Sequence, residues 1–339
     1  MRINISLNCG LSWNKRCQMF KCIYNGEKEK AAGKNVFGAT IKKMIQEDSK
    51  VCYLDADLMN SIGTFGLEAD YPDQIIECGI QEANMVGVAA GMSAAGMKPF
   101  VHTFGSFAGR RVFDQAFMSV AYAKNNVVII GSDSGINAAY NGGTHMPFED
   151  ICLYRAVPEA LVIDATDSAM LASILPDLKD RKGLTYVRIC RKNCVAVYSE
   201  DSKFEFGKGN VLRDGKDVTF IAAGYMVAEA LKAAEKLHEE GIEAAVIDMF
   251  CIKPLDEALV IEYAKKTGAV VTAENGNVVG GLGAAVAECL GENCPTPISM
   301  VGVRDRFGQV GTVDFLAETY GLTAEKMVEE AKKTIARKA

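Results

Sequence analysis

Glu82 stands in the run Ile80-Gln81-Glu82-Ala83-Asn84, just before the small-residue stretch Gly87-Val88-Ala89-Ala90-Gly91. A carboxylate at the start of a helix built otherwise of small or apolar residues is either a surface cap or an acid buried at an interface, and a buried acid can hold or move a proton. His102 and His145 each follow a strand-like pattern, and His145 sits in the polar, glycine-containing loop Asn141-Gly142-Gly143-Thr144-His145-Met146-Pro147. There a ring nitrogen could meet a substrate oxygen. His238 falls in the polar part of a helix and reads as a surface residue. Phe104 and Phe107 read either as core or as a flat wall on which a heteroaromatic cofactor could stack. The glycines of Gly276-Asn277-Val278-Val279-Gly280-Gly281-Leu282-Gly283 match neither phosphate-loop nor dinucleotide spacing and read as a tight turn feeding a helix. No Gly-Asp-Gly followed by a suitably placed Asn is present to bind a magnesium diphosphate. If a diphosphate cofactor is used, a second chain must hold that end.

The elements that must position these groups alternate. Gly33 to Asp48 predicts a helix and Val51-Cys52-Tyr53-Leu54 a short strand; further strands are expected at Pro99–His102, Val127–Ile130, Leu161–Ile163 and Thr185–Ile189. Apolar strands separated by helix-sized segments predict a parallel sheet covered on both faces, with ligands beyond the carboxyl ends of the strands. A polar passage from Ser199 to Asp217 reads as a linker. Beyond it, Val218–Gly224, Ala244–Asp248 and Ala269–Thr272 predict strands, and Met226–Glu240 and Thr323–Arg337 predict helices. The fold class is therefore α/β, with two consecutive domains at 33–198 and 218–339. Residues 1–32 form a basic amino-terminal extension.

With 339 residues and 49% hydrophobic composition, the chain can bury two cores. Its formal charge of -6 argues against a nucleic-acid surface, which needs concentrated Lys and Arg. Residues 1–50 carry ten Lys/Arg against four Asp/Glu but lack the apolar core of a secretory signal. No run of 18 apolar residues marks a membrane span. Eleven Cys without a CxxC pair fit a reduced, cytoplasmic compartment better than a disulfide scaffold.

Taken in order, the motifs resemble the transketolase family, specifically the pyrimidine-binding and carboxyl-terminal domains found as a separate subunit in split transketolases. The marks are Leu54-Asp55-Ala56-Asp57-Leu58 with Ser61, Gly79-Ile80-Gln81-Glu82-Ala83-Asn84-Met85, Thr103-Phe104 with Phe107, and Gly143-Thr144-His145. The second domain adds Ile252-Lys253-Pro254-Leu255-Asp256, Gly280-Gly281-Leu282-Gly283 and Asp305-Arg306-Phe307-Gly308. The resemblance runs from about Gly33 to the end and implies two three-layer α/β/α domains. It implies thiamine diphosphate as cofactor, with Glu82 on the pyrimidine ring nitrogen, Phe104 stacked on the ring and Phe107 completing the wall. His145 would face the donor hydroxyls; Asp57, Ser61 and Arg191 would lie around the cofactor entrance or the substrate tail.

The implied reaction is two-carbon ketol transfer from a ketose phosphate to an aldose phosphate. The implied partner is an amino-terminal subunit carrying the diphosphate-binding domain and the Mg2+ ligands, so no metal residues are assigned here. Self-association through the pyrimidine-binding domain would give two copies of each chain, and this chain alone would be inactive without its partner subunit. Three departures bear on the donor. Asn137–Gly143 lacks the acidic residue common before the histidine, Lys34 stands near the place of a phosphate-contacting Arg, and Glu274-Asn275-Gly276-Asn277 lacks a frequent His. Arg188 is a weaker tail candidate, because strand alternation can turn it elsewhere. The alternatives are a 2-oxo acid dehydrogenase beta subunit, a deoxyxylulose-phosphate synthase-like enzyme and a catalytically silent regulatory subunit.

Overall fold

The computed structural model describes residues 19–338. The rest of the basic extension, residues 1–18, lies outside the described residues. Twelve strands follow one another: β1 (Val51–Asp55), β2 (Ile75–Glu77), β3 (Lys98–Phe104), β4 (Val127–Ser132), β5 (Leu161–Asp164), β6 (Leu184–Ile189), β7 (Asn210–Arg213), β8 (Val218–Ala222), β9 (Ala244–Asp248), β10 (Cys251–Lys253), β11 (Val270–Asn277) and β12 (Ile298–Val303). They form a seven-stranded sheet ordered β10-β5-β6-β4-β3-β1-β2 and a five-stranded sheet ordered β12-β11-β8-β9-β7. All pairings are parallel except β10 with β5 and β7 with β9, the edge strands.

Alternation along β1 explains the layering. Val51 and Tyr53 join one core with Phe37 and Ile41 of the helix Gly33–Glu47, whereas Cys52 and Leu54 join another with Met85, Val86 and Ala89 of the helix Glu82–Ala94. The second sheet repeats the arrangement. Phe220 faces the helix Met226–Glu239, and Ile221 faces the core that includes Leu259 and Leu282. Each sheet is thus the middle of three layers, as parallel strands buried on both faces require.

Four strands, β2, β7, β10 and β12, are not among those named from the sequence, and two of them are informative. β7 lies inside the polar passage read as a linker, and β10 crosses from the second half of the chain to pair with β5 in the first sheet. The preceding segment also has a place: Cys22 bridges Tyr198 and Lys28 bridges Val195, so the described part of the extension lies against the end of the first domain.

Asp248, at the end of β9, is fully buried. Its Oδ2 accepts from Thr166 Oγ1 and from the Tyr198 hydroxyl, each at 2.7 Å, while Oδ1 has no partner. Burial pushes this carboxyl up to about 7. A folded-state pKa raised above the unfolded value means that the folded chain binds more protons, so this contribution to stability is lost as pH rises through 7. Urea unfolding from pH 5.5 to 8 is expected to show stability falling with pH, and Asp248→Asn should flatten that slope. An unchanged slope would assign the dependence to other groups.

Candidate active site

β3 ends on Phe104, and the helix Gly105–Arg110 that follows carries Phe107. A Cβ on Gly105 would lie 2.7 Å from Pro147 Cγ, so glycine lets the loop bearing His145 press onto the helix start. The two phenyl rings meet edge to face at 6.1 Å, and the His145 ring closes the group at 5.4 Å from Phe104 and 5.1 Å from Phe107. The second domain supports this turn: a Cβ on Gly143 would strike the Gly308 carbonyl at 2.3 Å, which places the Asp305–Gly308 motif directly against it. Burial pushes the imidazole below its usual range; Asp133 opposes this shift, and Arg111, Arg110 and Arg191 reinforce it. His145 is therefore neutral at neutral pH. Its Nδ1 is 2.8 Å from Thr144 Oγ1, which leaves Nε2 for a ligand.

Glu82 opens the helix Glu82–Ala94 and is 5% exposed, which decides for the buried acid over the surface cap. Arg111 Nη1 donates to Glu82 Oε1 at 2.7 Å, and its guanidinium lies 3.9 Å over the Phe107 ring. Arg111 thereby ties the acid to the aromatic wall. On the outer side of the same helix Gly87, Val88 and Gly91 are exposed, and a Cβ on Gly87 or Gly91 would meet nothing within 4 Å.

Arg191 lies 5.2 Å over the Phe104 ring, with its Nε 2.8 Å from both oxygens of Asp133 and Nη1 3.5 Å from the Ser61 carbonyl. Lys34, in the first turn of its helix, donates its backbone N–H to the Arg191 carbonyl at 3.0 Å. The structure thus gathers the side chains of Glu82, Phe104, Phe107, His145 and Arg191, with Ser61 and Lys34 touching Arg191 through their backbone. Asp57 adopts a positive φ of 62° after β1, and its N–H donates to Glu77 rather than to the aromatic group. Arg188 turns away, into a fully buried network between the domains. His238 is exposed and pairs with Glu243.

Beneath the site runs a buried relay. Tyr53 donates to Asp55, Asp55 Oδ2 is 2.8 Å from His102 Nδ1, and His102 Nε2 is 3.0 Å from Ser132 Oγ. It joins the carboxyl ends of β1, β3 and β4, which carry Asp57, Phe104 and Asp133. Glu274 has a comparable structural task. Its carboxylate accepts from the N–H groups of Leu282 and Gly283, each at 2.8 Å, at the start of the helix Leu282–Asn293, so the glycine run is a turn feeding a helix. Sequence reading missed Arg111 and Asp133. Asp133 could have been found, because it follows a strand end; Arg111 carries no local signal.

Known proteins agree with this geometry. The family description "Transketolase, pyrimidine binding domain" matches residues 29–195, and "Transketolase, C-terminal domain" matches residues 207–327. The chain belongs to the transketolase family and carries these two domains in the arrangement of split-transketolase subunits. It is 50% identical to the 6-deoxy-6-sulfo-D-fructose transketolase subunit SqwH of Clostridium sp. (strain MSTE9) over 86% of this chain and 91% of that protein. It is 34% identical to an apulose-4-phosphate transketolase subunit of Phocaeicola vulgatus over 87% of this chain and 95% of that protein. A solved structure described as "Split gene transketolase, inactive beta4 tetramer" superposes with a TM-score of 0.85 at 41% identity, covering 91% of this chain and all of that one.

Proposed function

We propose that this chain is the pyrimidine-binding half of a thiamine-diphosphate-dependent transketolase that moves a two-carbon ketol unit between sugars ending in an anion. The observation that carries the reading is the convergence of a buried carboxylate, two aromatic faces and a neutral imidazole within one cluster. That donor set fits an aminopyrimidine: an acid for a ring nitrogen, apolar faces for stacking and an uncharged hydrogen-bonding group beside them. Thiamine diphosphate, when bound, supplies the carbanion-stabilising chemistry. Glu82 holds a proton at the pyrimidine ring nitrogen. Phe104 and Phe107 orient the ring and exclude water, and His145 hydrogen-bonds the donor hydroxyls through Nε2.

Arg191, Lys34 and the Ser61 segment receive the substrate tail, and Asp57 lines the cofactor entrance. A diphosphate-binding partner subunit holds the diphosphate and Mg2+. The exposed small-residue face of the Glu82 helix supports pairing of two copies of this chain, which brings the two sites close to one interface. Among the described residues no helix is long and apolar enough to cross a membrane, in keeping with action on dissolved sugars.

A second reading concerns the donor alone. Similarity to the sulfofructose transketolase subunit and Lys34 at the tail favour a sulfonated ketose over a phosphorylated one. The test is two-carbon transfer, with thiamine diphosphate and Mg2+, from a ketose 6-phosphate and from its 6-sulfonate counterpart to an aldose phosphate. The chain and its diphosphate-binding partner are assayed separately and together. Activity only in the mixture is expected. Release of carbon dioxide from pyruvate without ketol transfer would move the assignment to 2-oxo acid or deoxyxylulose-phosphate chemistry, and verified assembly without any turnover would leave a regulatory subunit.

A further inference from the structure

Asp133 follows β4 directly, is fully buried and holds a left-handed backbone with φ 61°. Aspartate is one of the few non-glycine residues that enter this region readily, so the backbone turn at 133 and the carboxylate are compatible. Both of its oxygens lie 2.8 Å from Arg191 Nε, and Nη1 reaches the Ser61 carbonyl at 3.5 Å, which leaves Nη2 for a ligand. Asn275 of the second domain fixes the next residues, accepting from the Ile136 N–H at 3.0 Å and donating to the Ser134 carbonyl at 2.9 Å.

The other guanidinium groups near His145 are matched in the same way. Arg110 pairs with Glu149 at 2.6 Å and Arg111 with Glu82 at 2.7 Å. Each arginine of the site therefore arrives already neutralised by a carboxylate. Among the described residues, the neighbouring cations without a carboxylate partner are Lys34 and Lys192, and the Lys192 ammonium donates to the Asn137 carbonyl at 3.3 Å. A doubly charged tail entering here gains from few unmatched cations and is repelled by a buried carboxylate behind Arg191. A singly charged tail meets the same donors, and with Arg191 neutralised the second charge of a dianion gains little here to offset its larger desolvation.

We propose that Asp133 is a specificity-determining residue that cancels the charge of Arg191 and so tunes the tail subsite to a singly charged tetrahedral anion, a sulfonate, over a dianionic phosphate monoester. The proposal rests on the functional reading above, because it takes Arg191 as the tail-binding group. A phosphate monoester carries about one and a half to two charges at neutral pH, and a sulfonate carries one. Removing the Asp133 charge should favour the phosphate by close to one extra charge of interaction.

The test uses the assembled complex with wild-type chain, Asp133→Asn and Asp133→Gly, both of which tolerate the left-handed backbone. For each, kcat and KM are measured with a ketose 6-phosphate and its 6-sulfonate counterpart. In both variants the ratio of the two KM values should shift toward the phosphate by at least about tenfold, since one charge about 4 Å away is worth roughly a factor of five in water and far more in a protein-like dielectric, while kcat for the two donors moves together. A ratio that shifts less than twofold in both variants overturns the specificity role and leaves Asp133 as a support for Arg191. A wild-type complex that transfers from neither donor overturns the functional reading, and this proposal falls with it.

Discussion

Glu82→Gln should leave the chain folded and able to assemble, yet lower ketol transfer in the complete complex by about a hundredfold or more, within the range of a lost general acid–base group. The substitution keeps the size of the side chain and one carbonyl oxygen for Arg111. What it removes is the acid. The Arg111 guanidinium is 49% exposed, so the ion pair with Glu82 is screened and its loss should cost no more than about 1 kcal/mol of stability. Thermal melts of wild-type and variant chains should therefore lie close together, and sedimentation of the complex should be unchanged. The rate and the stability are thus separable. Turnover within threefold of wild type, at saturating cofactor, would remove Glu82 from the proton-holding role and leave it as a partner of Arg111.

Arg111 sharpens that expectation. It bonds the acid with one nitrogen while its plane covers Phe107, so the carboxylate is fixed relative to the aromatic wall before any ligand arrives. On the proposed function, a carboxylate held in this way would need little reorganisation to meet a ring nitrogen, which is the benefit of a supported site over a mobile one.

The parts of this arrangement that were legible in the sequence are those with a local signature. Apolar runs such as Val127–Ile130 and Leu161–Ile163 announce buried parallel strands, and the structure has β4 and β5 there. Glu82, Phe104, Phe107 and His145 stand out as chemistry-bearing residues beside such runs, and they share one cluster. β10 was illegible for a physical reason. It is three residues long, and it is a strand only because β5, distant in sequence, offers an open edge. β7 was hidden likewise, since its polar neighbourhood suggests a linker until β9 supplies a partner. Arg188 could be flagged as one cation in a strand, but not that two carboxylates and two carbonyls from distant segments would close around it. Non-local partners decide such residues, and a single sequence does not display them.

Arg188→Met should destabilise the chain by about 3–5 kcal/mol, the range for breaking one side of a buried ion network. The guanidinium is 1% exposed. Its Nη1 donates to Asp164 at 3.1 Å, and its Nη2 donates to the carbonyls of Pro147 at 2.9 Å and Asn275 at 2.8 Å. Nε lies 2.8 Å from Asp150 Oδ2 without the alignment of a hydrogen bond, and Asp150 also accepts from the Tyr186 hydroxyl at 2.6 Å. Methionine fills much of the volume but leaves two buried carboxylates unpaired and two carbonyls unsatisfied.

The penalty should depend on pH in a definite direction. Burial already pushes the Asp164 carboxyl up to about 6, with Arg188 pulling against it, and removing Arg188 takes away that opposing pull. Protonation then relieves the unpaired charge. The loss of stability should be largest near pH 8 and shrink as pH falls toward 5, where both aspartates can be neutral. Urea unfolding at the two pH values measures this directly. Adding Asp150→Asn and Asp164→Asn to Arg188→Met should recover much of the stability, because the cost lies in stranded charge more than in lost attraction. A uniform penalty at both pH values, with no recovery in the triple variant, would instead assign the loss to packing between Pro147 and Asn275, where the two domains meet.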